Sequence, residues 1–256
     1  DLRPNGDIMD LTDTIILVTG AAQGIGAATA RRCAALGATV VVADRLGAAA
    51  EQVAADIRAA GGRAEGASID VRDDDAVAAL LAGVRERHGR LDVLICAAGV
   101  LQGAYQQPED LPTDVFDFVM DVNVKGVYLC VKHATPLLAA SDRGVVILIA
   151  SGAGVRGPSS SLAYGASKAG VNGFGMTLEA HLAPRGIRVN VVCPGNIDTQ
   201  LKREVVVADA ARSGRDTAEA VAQARQGFGD PAGVARVIAF VASPDADYLR
   251  GVVFTR

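Results

Sequence analysis

The stretch Ile15-Ile16-Leu17-Val18-Thr19-Gly20-Ala21-Ala22-Gln23-Gly24-Ile25-Gly26 decides the fold. Ile15–Thr19 is short and mostly β-branched, as a strand buried on both faces is. Three glycines follow, and then the helical pattern Ile25–Leu36 begins. Gly20 permits a tight turn, while Gly24 and Gly26 let backbone N–H groups at the helix start approach an anion closely. The spacing is not G-x-G-x-x-G, because Thr29 stands three residues after Gly26, and no G-K-[ST] follows to make a P-loop. The physics is still that of a cradle for phosphate or pyrophosphate, although an ordinary strand–helix corner would read much the same. A second strand, Thr39–Ala43, leads into Asp44, 20 residues after Gly24. A carboxylate there can accept hydrogen bonds from a ribose diol. It also suits a helix N-cap, and an S-adenosylmethionine methyltransferase would carry a similar turn and acid. The pair points to a nucleotide and leaves the chemistry open.

Working outward, further strand-like runs are Ala64–Ile69, Val93–Cys96, Val145–Ala150 and Ile187–Cys193. Helical segments separate them: Ala48–Ala60, Asp74–His88, Asp114–Leu138 and Ser167–Leu182, with Pro231–Ala242 beyond. Gly37, Gly61 and Gly89 sit just past helix ends, where glycine is favoured. Strands alternating with helices imply right-handed βαβ crossovers and a doubly wound parallel sheet. Neither a repeat nor a Pro/Gly/Ser-rich linker divides the chain, so residues 1–256 read as one domain. The polar segment Asn196–Gly229, helix-prone at Thr217–Arg225, interrupts the alternation and reads as a mobile cover over a site.

Composition narrows the function classes. Half the residues are hydrophobic and 21% are charged, which suits a globular protein. Gly is 29 of 256 and Trp is absent, so helices pack on the sheet through small residues. The net charge of −4 argues against nucleic acid as a partner. The longest uncharged apolar run, Val145–Val155, is well short of the ~18–20 residues of a membrane span. Asp1–Asp13 is polar, with no targeting pattern. Cys33, Cys96, Cys130 and Cys193 lack C-x-x-C spacing and read as buried thiols of a cytoplasmic protein without a metal site.

Tyr and Lys four residues apart share a helix face, and a nearby ammonium lowers a phenol's pKa toward the working range of an acid/base. The spacing occurs twice, at Tyr128/Lys132 and Tyr164/Lys168. Context separates the pairs. Tyr164 follows a buried strand whose carboxyl end carries Ser151, and open α/β sheets bind ligands at such ends. Tyr128/Lys132 lies inside a long helix with no comparable serine, and reads as a helix-face or subunit contact.

With these residues assembled, the chain resembles the short-chain dehydrogenase/reductase family over essentially its whole length. The resemblance is carried by Thr19–Gly26, Asp44, Asp70-Val71, Ala97-Ala98-Gly99, Asn123 in Val122–Gly126, Ser151, Tyr164-Gly-Ala-Ser-Lys168 and Pro194-Gly195. One departure stands out: Cys96-Ala97-Ala98-Gly99 lacks the asparagines usual after the fourth strand.

The resemblance implies a Rossmann-type fold with a seven-stranded parallel sheet and a nicotinamide cofactor. Tyr164 would be the general acid/base, Lys168 would lower its pKa and hold the nicotinamide ribose, and Ser151 would orient the substrate oxygen. Asn123 would hold a water that relays protons to Lys168. Gly20, Gln23, Gly24, Ile25, Gly26, Asp44 and Arg45 would line the cofactor, with Asp70 and Val71 at the adenine and Ala97 and Gly99 alongside. Pro194, Ile197 and Thr199 would meet the nicotinamide end.

The expected activity is hydride transfer between NAD and a secondary alcohol or ketone. The alternatives are a 3-oxoacyl thioester reductase and a non-catalytic dinucleotide sensor. A homotetramer is expected from apolar residues beyond one core-facing stripe: Val119, Val122, Tyr128 and Val131, and Val171, Phe174, Met176 and Leu178. Gly170 and Gly173 would permit close packing between subunits.

Overall fold

The computed structural model describes residues 9–256, so residues 1–8 of the polar leading segment lie outside the described residues. Seven parallel strands form one sheet in the order β3-β2-β1-β4-β5-β6-β7. They are β1 (Ile15–Thr19), β2 (Thr39–Asp44), β3 (Arg63–Ser68), β4 (Val93–Cys96), β5 (Val145–Ile149), β6 (Arg188–Cys193) and β7 (Gly251–Phe254). The helices are α1 (Gly24–Ala35), α2 (Gly47–Ala59), α3 (Asp74–His88), α4 (Thr113–Met120), α5 (Gly126–Leu138), α6 (Leu162–Leu182), α7 (Gln200–Arg212), α8 (Thr217–Arg225) and α9 (Pro231–Ala242). This is the doubly wound fold expected from the strand–helix alternation.

Alternation along each strand builds two cores. Ile16, Val18, Val40, Val42 and Ile147 face the layer of α1, α2 and α9. Ile15, Leu17, Val41, Leu94 and Leu148 face the layer that includes α3, α5 and α6. Side chains on a strand point alternately to its two faces, so a run apolar at every position fills both layers. The two edge strands are the exceptions: no residue of β7 is fully buried, and β3, with neither end buried, turns Glu65 outward to Arg87 and His88. An edge strand has no second neighbour to cover it.

Several boundaries shift by one residue from the sequence reading, and three differences are larger. α6 starts at Leu162, five residues before Ser167, because the Ser161 hydroxyl caps it by accepting from the Tyr164 N–H at 3.1 Å. The helix expected over Asp114–Leu138 runs from Thr113 but is broken by one π turn, Asp121–Lys125. The segment after β6 is two helices, since α7 precedes the anticipated α8.

Candidate active site

A cleft of about 670 Å³ opens over the carboxyl ends of β1 to β6, around the point where the strand order reverses between β1 and β4. The β1–α1 turn forms one wall. Gly20 and Gly24 have φ of +68° and +56°, and a Cβ on Gly20 would stand 2.5 Å from the Ala98 backbone. A Cβ on Gly26 would run into the Gly20 carbonyl. No side chain caps α1 and no acid stands in its first turn, so its N–H groups and dipole remain available to an anion. Gln23 and Ile25 line the same wall. The cradle therefore fits a dinucleotide's pyrophosphate.

Asp44 ends β2 in the cleft wall with its carboxylate already fixed: Oδ2 accepts from the Ala22 N–H at 3.0 Å and Oδ1 from the Leu46 N–H at 2.9 Å. The acid thus ties the glycine turn to the approach of α2. Capping and ribose binding are compatible, because a carboxylate offers about four acceptor sites. Arg45 lies beside it. Asp70 is gripped by Arg72 through a 2.6 Å ion pair, which holds its carboxyl below the usual range. Val71 packs under Gly126.

Ser151, Tyr164 and Lys168 meet deeper in the cleft. Burial pushes the Tyr164 phenol up, opposed by a hydrogen bond with the Ser151 side chain. The expected lowering by Lys168 is therefore not what the protein alone produces. The lysine ammonium lies 5.6 Å from the tyrosine ring centroid and donates to the Ile149 carbonyl at 2.8 Å. It is itself destabilised by burial, which brings its pKa down to about 8. Gly99 makes room for it, since a Cβ there would stand 3.3 Å from Nζ.

Asn123 sits in the π turn, fully buried behind this wall. Its Oδ1 accepts from the Val100 N–H at 2.8 Å, and its Nδ2 donates to the Val100 carbonyl and Ser167 Oγ, each at 2.9 Å. The side chain is thus committed to protein partners. π turns recur at functional sites, and this one places an amide where it can clamp the β4 loop.

Of the remaining expected residues, Ala97, Pro194, Ile197 and Thr199 also line the cleft. Ala97 donates its N–H to the Thr19 carbonyl at 3.2 Å, so the main chain braces the sheet where the asparagines are missing. Cys96 is buried against Cys130.

A family model described as short chain dehydrogenase matches residues 14–210. The chain belongs to that family. The dehydrogenase is 38% identical over 244 residues to a cis-4-hydroxycyclohexanecarboxylate dehydrogenase of Sinomonas cyclohexanicum, covering 94% of each chain. It is 36% identical to a 3-oxoacyl-[acyl-carrier-protein] reductase of a Synechocystis strain, covering 95% of each. Among solved structures, levodione reductase superposes with a TM-score of 0.86 at 29% identity, over 95% of this chain and 96% of that one. The short-chain dehydrogenase is an oxidoreductase of hydroxyl and keto groups that uses a nicotinamide cofactor.

The second Tyr–Lys pair is away from its cleft. Lys132 bonds Asp74 at 2.7 Å, and Tyr128 is half exposed with its ring edge-on to Phe174. The cleft wall also holds Arg72, Tyr105, Phe118, Arg156 and Lys202. The sequence reading missed Arg72, Tyr105, Phe118 and Arg156 as site residues, because tertiary packing alone brings them there, whereas Lys202 belongs to the Asn196–Gly229 segment expected over the site. Tyr105 has φ of +63°, unusual outside glycine, and no local pattern signals it. After β5, Gly152 and Ala153 line the cleft, whereas Val155 packs against the core.

Proposed function

We propose that the dehydrogenase moves hydride between NAD and a small secondary alcohol or ketone, with Tyr164 as the acid/base. The observation that carries this is the convergence of Ser151, Tyr164 and Lys168 in the cleft that the glycine turn and Asp44 also wall. A nicotinamide ring, when bound, takes hydride from the carbinol carbon or gives it to the carbonyl carbon. Tyr164 takes the hydroxyl proton during oxidation and returns it to the carbonyl oxygen during reduction. Ser151 holds that oxygen, and the charge of Lys168 favours the phenolate. With its side-chain amide engaged, Asn123 positions the Val100 main chain and the Ser167 hydroxyl. The α7–α8 segment covers the substrate. Four free, buried thiols suit a reducing cytosol.

Asp44 carries the preference for NAD. A 2′-phosphate about 4 Å away would meet its carboxylate with a repulsion of about 4 kcal/mol at an effective dielectric of ~20. Arg45 opposes this in part, and Ala21-Ala22-Gln23 adds no cation in the glycine turn. NADH should outperform NADPH by at least about tenfold in kcat/KM, and Asp44→Ser should narrow or reverse the gap. Cofactor fluorescence titration and turnover of a panel of secondary alcohols test this. Tighter binding of NADPH by the native protein would overturn the preference. Binding without turnover across the panel would favour a sensor.

A further inference from the structure

Beyond the nucleotide cradle, the cleft is lined by apolar side chains, among them Val100, Leu101, Tyr105, Leu201 and Val205. Into this wall the first turn of α7 brings one ammonium, Lys202. Its Nζ lies 5.9 Å from the Phe228 ring centroid, and burial lowers its pKa with no carboxylate to offset the effect.

The acids nearby are committed elsewhere. Asp198 holds Arg203 and Arg225, at 2.7 and 2.9 Å, and Glu204 accepts from Gln200 at 3.0 Å. Of the cleft's own carboxylates, Asp44 is fixed by backbone N–H groups and Asp70 by Arg72. A second cation, Arg156, stacks 4.4 Å over Phe254 at the exposed rim of the same wall. An apolar pocket wall that includes a half-buried ammonium and no free acid is matched by an apolar molecule with an anionic end. An ammonium out of bulk water binds an anion strongly because its own hydration is already partly lost.

We infer that the substrate carries a carboxylate besides its reacting hydroxyl or ketone, and that Lys202 binds that carboxylate. This rests on the hydride-transfer reading above. Lys202 is thereby a specificity residue, acting at the far end of the substrate from Tyr164. A neutral ester of the same skeleton keeps the apolar contacts and loses the ion pair.

The test is a series of secondary hydroxy acids with increasing chain between carbinol and carboxylate, each beside its methyl ester. Plain cycloalkanols and NAD complete the assay. For the best-fitting skeleton, the acid should exceed its ester by about 10- to 100-fold in kcat/KM, the worth of a charge-assisted hydrogen bond. The difference should lie mainly in KM. Lys202→Gln should collapse this ratio toward one, and Lys202→Arg should restore most of it.

An ester as good as the acid throughout the series, in the native protein, would overturn the inference while turnover of the alcohols left hydride transfer standing. A rise in cofactor KM with an unchanged acid-to-ester ratio in Lys202→Gln would assign the ammonium to the cofactor's phosphates, and overturn it as well. Failure of acids, esters and alcohols alike would remove both readings.

Discussion

Tyr164 and Lys168 share one cavity, and burial acts on them in opposite senses, raising the phenol and lowering the ammonium to about 8, so each is pushed toward its neutral form. Removing the phenol hydroxyl with Tyr164→Phe should cut turnover by about 10²–10⁴-fold, the worth of a positioned acid/base. Tyr128→Phe should leave it nearly unchanged, and equal losses in steady-state kinetics would refute the assignment. Lys168 also weakens the fold. A lysine at about 8 when folded and 10.5 when exposed is penalised as a cation below pH 8. The penalty fades as pH rises from about 8 to 10.5, because the unfolded chain binds the extra proton in that window. The shift corresponds to about 3 kcal/mol. Lys168→Met should therefore be inactive yet about 0–2 kcal/mol more stable at pH 7, after allowing about 1–3 kcal/mol for the Ile149 carbonyl left without its donor. That advantage should shrink toward pH 10. Urea unfolding at the two pH values reads it, and a variant less stable than the native chain at pH 7 would contradict it.

At the scale of elements, α6 shows how tightly the layers meet. A Cβ on Gly175 would collide with the Val191 side chain on β6, whereas one on Gly173, two residues earlier, would meet nothing within 4 Å. Gly175→Ala should destabilise by about 1–3 kcal/mol through overpacking, despite alanine's higher helix propensity. A thermal melt unchanged or raised by Gly175→Ala would show that β6 yields. Elements with strong local signals were legible in the sequence: β1, β4 and β5, buried along their length, and α3, whose ends carry an Asp73 cap and Gly89 in the left-handed conformation. α7 was not legible. Only Val205 and Ala210 are buried in it, three valines stand in a row at Val205–Val207, and its apolar pattern has no single stripe. The π turn is invisible locally because its residues keep ordinary helical character. Ser151, Tyr164 and Lys168 could be read from strand ends and helical spacing and Lys202 only as part of a covering segment, whereas Tyr105 could not be read at all.

For the whole molecule, the sequence signal for assembly needs trimming. Val119, Val122, Val131 and Val171 are core residues, so they provide no surplus apolar face. Tyr128 and Met176 do remain exposed, at 50% and 62%, as do Phe116 on α4 and Leu162 at the start of α6. We expect a homotetramer, and Met176→Lys should shift light-scattering mass toward smaller species; a native monomer at micromolar concentration would refute it. A different feature governs how this architecture changes over time. The polypeptide leaves the sheet after β6 and comes back to the spot it left, where Ile197 bridges Gly229, the Asp198 N–H bonds the Gly229 carbonyl at 2.9 Å and the Gly229 N–H bonds the Asn196 carbonyl at 2.8 Å. A segment pinned at its neck behaves as a cassette. Lengthening a closed loop costs only about 0.6 kcal/mol per doubling, so its contents beyond Thr199 can be exchanged while the nucleotide half stays as it is. New diets can then be met by editing some thirty residues of one enzyme.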